Sequence, residues 1–210
     1  MRPIVLFGVA LFVLVALTAA PAQAQFGQRE PPAVQIAGFA GYQFGGSIWS
    51  NVLERKFSFK SGLNYGGTLD FRIGETWRFE IYYSQHRTEL EGEGLGELGF
   101  DVTIERLMVG LQEETGEGNV KYFGTILVGA TRYSPGSSDL SSDTRFSAGL
   151  GLGLKSFFSK NVGLRLEGDV FYTSVEGGGG LFCGAGACAF SYSGSGIWQG
   201  DLTAGLIIAF

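Results

Sequence analysis

Few side chains in this sequence could do covalent chemistry, and they are thinly spread. His86 is the one histidine among 210 residues. It shares a strand parity with Ser84 and Glu80. A histidine, a hydroxyl and a carboxylate are the minimum set for nucleophilic catalysis. Three residues on one face of one strand form a line, however, whereas a triad needs groups converging within hydrogen-bond reach. The expectation is a histidine at a rim and no enzyme. Cys183 and Cys188 are the two cysteines, and they sit in a Gly-rich stretch from Glu176 to Gly196. Two thiols with no nearby histidine fall short of a metal site. In an oxidising compartment they are expected to form a disulfide, worth roughly 2 kcal/mol in the chain-entropy model for so short a loop. No metal and no cofactor are expected.

The remaining chemistry is charge, and its spacing is regular. Asp70, Arg72, Arg78, Glu80, Arg165, Glu167, Asp169 and Asp201 alternate with apolar neighbours. They share parity with small residues such as Ala37, Gly41, Gly66, Thr68, Gly149, Gly151 and Gly153. The elements that must position them have a period of two, the period of a strand. In the last such segment Trp198, Leu202, Ala204, Leu206, Ile208 and Phe210 fall on one face, and Gln199, Asp201, Thr203 and Gly205 on the other.

Eight segments of this kind are predicted, over 33–46, 60–73, 76–87, 102–114, 118–133, 143–158, 161–175 and 197–210. Each reaches the roughly 9–11 residues a tilted strand needs to cross a bilayer. The fourth is irregular, because Glu105 and Arg106 are adjacent, so one charge must face the wrong way, lie at a rim or mark a bulge. Short connections at Gly74-Glu75, Thr115-Gly116-Glu117 and Ser159-Lys160 alternate with longer ones at 47–59, 88–101, 134–142 and 176–196. Short turns at one end and long loops at the other are the outer-membrane barrel arrangement.

Composition agrees. Gly accounts for 35 residues and charged residues for 17%, against about 25% in typical soluble domains. The formal net charge is −5 and no basic cluster is present, which argues against a nucleic-acid partner. The start of the chain reads as a secretory leader, with Met1-Arg2, an uncharged stretch from Ile4 to Ala20, and Ala22-Gln23-Ala24 as a cleavage signal. The expected organisation is a leader over 1–24, a short periplasmic segment over 25–32, and a barrel domain over 33–210. No apolar run of transmembrane-helix length follows the leader.

A soluble barrel also alternates, with its apolar face inside. The small residues on the polar face suit a narrow eight-stranded lumen instead. Aromatics near strand ends on the apolar face, namely Phe71, Trp77, Tyr122, Phe146, Phe158, Tyr172 and Trp198, suit the two lipid interfaces. Trp77, Tyr122, Tyr172 and Trp198 are the principal interface candidates.

On these residues the chain resembles the small OmpA-like, porin-family outer-membrane barrels. The segment from Val34 to Gly46 is similar to the opening strand of such barrels, and Leu206, Ile208 and Phe210 are similar to the signal read by the barrel assembly machinery. The resemblance implies an all-β fold, an eight-stranded antiparallel up-and-down transmembrane β-barrel in the bacterial outer membrane. It implies outer-membrane lipid, lipopolysaccharide and the assembly machinery as partners, with any extracellular ligand met by the loops. Unlike full-length OmpA, the protein is expected to carry no peptidoglycan-binding domain after Phe210. The His-x-Ser order of the lipid A deacylase barrels is absent, since the sequence reads Ser84-Gln85-His86.

Two sites are then expected. One is the lumen, where the charges form either a plug of salt bridges or a narrow gated path for ions or small solutes. The other is the loops. There Glu89, Glu91, Glu93, Glu97 and Asp101 read as a solvated acidic stretch, or as weak divalent-cation ligands near lipopolysaccharide phosphates. Their spacing is not that of an EF-hand.

Overall fold

The computed structural model describes residues 32–50, 55–92, 100–136, 141–174, 180–184, 187–191 and 196–210. Alternating apolar and polar side chains cannot bury one face of a helix, and they satisfy a strand whose two faces meet different media. Twelve strands and no helix occur among the described residues. They are β1 (Val34–Gly45), β2 (Ser47–Ser50), β3 (Arg55–Phe59), β4 (Gly62–Arg72), β5 (Trp77–Gly92), β6 (Phe100–Thr115), β7 (Val120–Pro135), β8 (Asp143–Phe157), β9 (Val162–Thr173), β10 (Gly180–Gly184), β11 (Ala187–Ser191) and β12 (Ile197–Ala209).

Eight of these close into a ring. Around it the order is β5, β4, β1, β12, β9, β8, β7, β6, and β6 returns to β5. Every neighbouring pair is antiparallel. Closure removes the free sheet edges that a bilayer would leave unsatisfied. The seam is held by β1 on β12, from Gln35 opposite Ala209 to Gly45 opposite Gln199. Phe210 N donates to Val34 O at 2.9 Å.

Three tight turns join the strands at one end. In the β6–β7 turn Gly116 and Gly118 have φ of 111° and 68°, a left-handed backbone that favours glycine. At the other end the ladders run past the segments expected from alternation. β5 continues to Gly92 and pairs Glu89 with Asp101 and Leu90 with Phe100. The connection between β1 and β4 is not a plain loop, because β2 and β3 form a hairpin and β3 pairs with β5 through Phe57 opposite Gly92. β10 and β11 form a separate two-stranded ladder.

The apolar faces point outward. Leu63, Leu107, Ile126, Leu150, Leu152, Leu202 and Leu206 are all exposed, whereas a soluble protein would bury most such residues. The expected aromatics mark both ends of this band. Phe71, Trp77, Tyr122 and Phe158 are exposed near the short turns, and Phe146 and Trp198 near the loops. Tyr172, only half-buried, packs on Trp198 with ring centroids 5.0 Å apart. Ile208 and Phe210 share the outward face with Leu206.

The irregularity at Glu105-Arg106 resolves without a bulge. Arg106 points inward and is buried. Glu105 points outward into a polar row with Gln85 and Arg132, its register partners on β5 and β7. Tyr83 Oη donates to Glu105 Oε1 at 3.1 Å.

Candidate functional site

The barrel interior is built from inward parity on all eight strands. It is too narrow for eight large side chains at one level, so small residues alternate with large ones around it. Gly149 and Gly153 on β8 show why. A methyl group on Gly149 would lie 2.7 Å from the Phe171 ring, and one on Gly153 would lie 2.3 Å from the Phe123 ring. Each glycine accepts an aromatic face where no larger residue fits.

Toward the turn end, Lys155 on β8 reaches across the lumen. Its Nζ lies 3.1 Å from Asp70 Oδ2, 2.7 Å from Glu114 Oε1 and 2.7 Å from Gln35 Oε1. It also donates to Gln112 Oε1. Arg78 Nε sits 2.9 Å from Glu114 Oε1, and the Arg78 guanidinium donates to Pro32 O. One step inward, Arg165 on β9 meets three carboxylates. Nη2 is 2.9 Å from Glu80 Oε2, Nη1 is 3.3 Å from Asp70 Oδ2, and Nε is 2.9 Å from Glu167 Oε2. The Phe123 ring lies beneath this cation, 4.5 Å from Arg165 Cζ.

Above this layer the lumen turns apolar. Phe39, Tyr82, Met108, Leu127 and Phe171 form a buried cluster. Phe39 stacks on Tyr82 at 5.4 Å, and Tyr82 meets Phe171 at 5.7 Å. Toward the loops a second polar layer follows. Arg106 on β6 donates from Nη1 to Gln43 Oε1 at 2.9 Å and from Nη2 to Gln199 Oε1 at 2.6 Å. It lies 3.7 Å from Asp201 Oδ2, which also accepts from Asn64 Nδ2 at 2.7 Å.

Strand order gives these contacts their meaning. Lys155–Asp70 joins β8 to β4, Arg165–Glu80 joins β9 to β5, and Arg106–Asp201 joins β6 to β12. In each pair the two strands are four places apart in the ring of eight, which is the full diameter. The contacts are crossbars rather than pairs along the wall.

Of the charges expected in the lumen, Asp70, Arg78, Glu80, Arg165, Glu167, Asp169 and Asp201 are buried there. Arg72 is half-buried at the turn end, opposite Arg78 in the β4–β5 register. Sequence reasoning missed Lys155 and Arg106 as members. Lys155 shares its parity with Gly149, Gly151 and Gly153, and Arg106 was hidden by the adjacent Glu105. Sequence reasoning also gave no lumen role to Phe39, Tyr82, Met108, Leu127 and Phe171, the residues of the apolar layer.

His86, Ser84 and Glu80 do not converge. The His86 ring contacts Leu63 O at 2.9 Å and Lys60 O at 3.3 Å, while Glu80 is held by Arg165 and Gln112. Six residues along a strand separate the two groups by roughly 20 Å at ~3.3 Å per residue.

Cys183 and Cys188 are directly opposite in the β10–β11 register. Of the acidic stretch, Glu89 is exposed and pairs with Lys60 at 3.1 Å, and Asp101 is exposed beside it. Glu93 and Glu97 lie outside the described residues.

A family model described as "Outer membrane protein beta-barrel domain" matches residues 10–206. The chain belongs to this family. Its place is the bacterial outer membrane, as the family model gives it and as the outward apolar band fits. It is similar in fold to Neisserial surface protein A, at 17% identity and a TM-score of 0.60, over 85% of this chain and 97% of that one. It is similar to outer membrane protein OprG from Pseudomonas aeruginosa, at 15% identity and a TM-score of 0.55, over 87% and 97%. It is also similar to outer membrane protein AlkL, whose structure was determined in DMPC lipid bilayers, at 12% identity and a TM-score of 0.57, over 91% and 96%. At these identities the likeness is one of fold. No curated protein matches the chain.

Proposed function

We propose that this outer-membrane barrel is a structural and surface-interaction protein whose lumen is closed, and that its contacts with other molecules are made by the loops at its outer end. The observation that carries this reading is the set of three crossbars spanning the full diameter with an aromatic layer between them. A water file would have to displace buried, hydrogen-bonded ion pairs and part Phe39 from Tyr82. The chain is not an enzyme in this reading, since its one histidine is held by backbone carbonyls.

The same reading takes residues 1–24 as a removed leader. It takes Leu206, Ile208 and Phe210 as the signal to the assembly machinery, and Cys183 and Cys188 as a disulfide that pins the β10–β11 hairpin. Lipopolysaccharide is the expected lateral partner, met by the outward polar row at Gln85, Glu105 and Arg132.

A second reading, a narrow path for ions or small solutes, is favoured by Asp169, a buried lumen carboxylate with no protein hydrogen-bond partner for either oxygen. Proteoliposome swelling in small sugars and amino acids separates the two. The closed barrel gives the rate of protein-free liposomes, and solute-dependent swelling above that rate favours the path.

A further inference from the structure

We propose that the lumen contains a monovalent-cation site formed by Asp169, Glu167 and Thr125 over the bare face of Gly151. The argument begins with charge. Among the described residues, five carboxylates are buried in the lumen, at Asp70, Glu80, Glu167, Asp169 and Asp201, against four Arg and Lys cations, at Arg78, Arg106, Lys155 and Arg165. Four of the carboxylates meet an Arg or Lys within 4.0 Å. Asp169 does not. It is 2% exposed, and neither of its oxygens has a hydrogen-bond partner. A carboxylate left in this state is costly as a bare anion, and either a proton or a counter-cation must meet it; the salt dependence of stability separates the two.

The geometry supplies a place for one. Thr125, Gly151, Asp169 and Asp201 form a single row across β7, β8, β9 and β12. Gly151 is the gap in that row. A methyl group on Gly151 would lie 2.3 Å from Asp169 Oδ1, 3.0 Å from Glu167 Oε1 and 3.2 Å from Thr125 Oγ1. Three oxygens from two strands, β7 and β9, thus face one spot on β8 where this chain has no side chain. Thr125 Oγ1 donates to Glu167 Oε1 at 3.2 Å, which leaves its lone pairs available as acceptors.

The donor set defines the ion. All donors are oxygen, which selects hard cations over soft ones. Glu167 already has a cation in Arg165, at 2.9 Å and 3.0 Å, which it shares with Glu80 and Asp70, so Asp169 is the carboxylate of the pair without one. Calcium takes six to eight oxygens and magnesium demands a near-ideal octahedron. Two carboxylates and a hydroxyl with one uncompensated charge fit sodium or potassium, completed by water.

The test uses the folded, detergent-solubilised protein. Its thermal unfolding midpoint is measured in sodium, potassium and N-methyl-D-glucamine chloride at equal ionic strength. A midpoint several degrees higher in an alkali salt than in the bulky organic cation is expected, and Asp169→Asn should erase that difference. Equal midpoints in all three salts, or a difference that survives Asp169→Asn, would overturn the site. So would a rise that depends on calcium or magnesium and is removed by EDTA. Should Asp169→Asn fail to fold, Thr125→Val keeps the charge, removes one oxygen and should shrink the alkali-specific difference. Diffraction from crystals grown in thallium(I) should place an anomalous peak among the three oxygens, and a flat map there rejects the proposal.

Discussion

Arg165 Nη2 lies 2.9 Å from Glu80 Oε2, and the two residues stand on strands at opposite ends of a barrel diameter. A pair along the wall would leave the lumen open beside it. This one occupies the centre, shares its guanidinium with Glu167 and Asp70, and rests on the Phe123 ring. Buried ion pairs are not stabilising by default, because desolvation offsets their attraction. Here the pair fills space that no apolar side chain in this sequence occupies, and it ties β9 to β5 and β4.

Removing one partner alone should therefore be costly. Arg165→Met leaves Glu80, Asp70 and Glu167 crowded without their shared cation. The expected loss is about 3–5 kcal/mol in urea unfolding of the lipid-reconstituted protein. Arg165→Met combined with Glu80→Leu should recover part of that loss, because one uncompensated charge goes with the cation. A single variant as stable as wild type would show that the crossbar is not a structural tie.

The outward face should respond to charge by depth. Leu150 lies near the middle of β8 and is 63% exposed. Leu150→Arg puts a cation into the hydrocarbon core, with an expected cost of about 2–4 kcal/mol in the same unfolding assay. Tyr122→Arg, near the turn-end interface, should cost about 0–1 kcal/mol. Equal costs at the two depths would contradict the placement of the lipid band.

The hairpin outside the barrel should be bonded but dispensable. Cys183 and Cys188 face each other in the β10–β11 register. Intact mass before and after alkylation should show no free thiol without reductant and two with it. Replacing both by serine should leave heat-modifiable gel migration unchanged, because β10 and β11 do not pair with the ring. Loss of the folded band in that variant would give the hairpin a part in assembly.

The ring was legible because a period of two survives in single sequence, and a face that alternates Leu with Gly and Asp can hardly serve two soluble surfaces. The inward side chains at Asp70, Glu80, Arg165 and Asp201 follow from parity alone. Their partners do not. Whether Arg165 meets Glu80 or Asp169 depends on the stagger between strands that are far apart in sequence and opposite in space. The apolar layer was missed for a related reason. Phe39 shares parity with Ala37 and Gly41, and Phe171 with Asp169 and Thr173, so both were readable as inward. An aromatic residue in an alternating strand is assigned to lipid by its chemistry unless parity is followed strictly. The β2–β3 hairpin carried too few residues to show a period.

The most direct test of a closed lumen is single-channel conductance in planar bilayers, on wild type and on a variant carrying Lys155→Ala, Arg165→Ala and Arg106→Ala, each first shown to be folded by heat-modifiable migration. The account predicts a silent wild type and discrete conductance steps once the three crossbars are cut. Discrete steps in the wild type, unchanged in the triple variant, would contradict it.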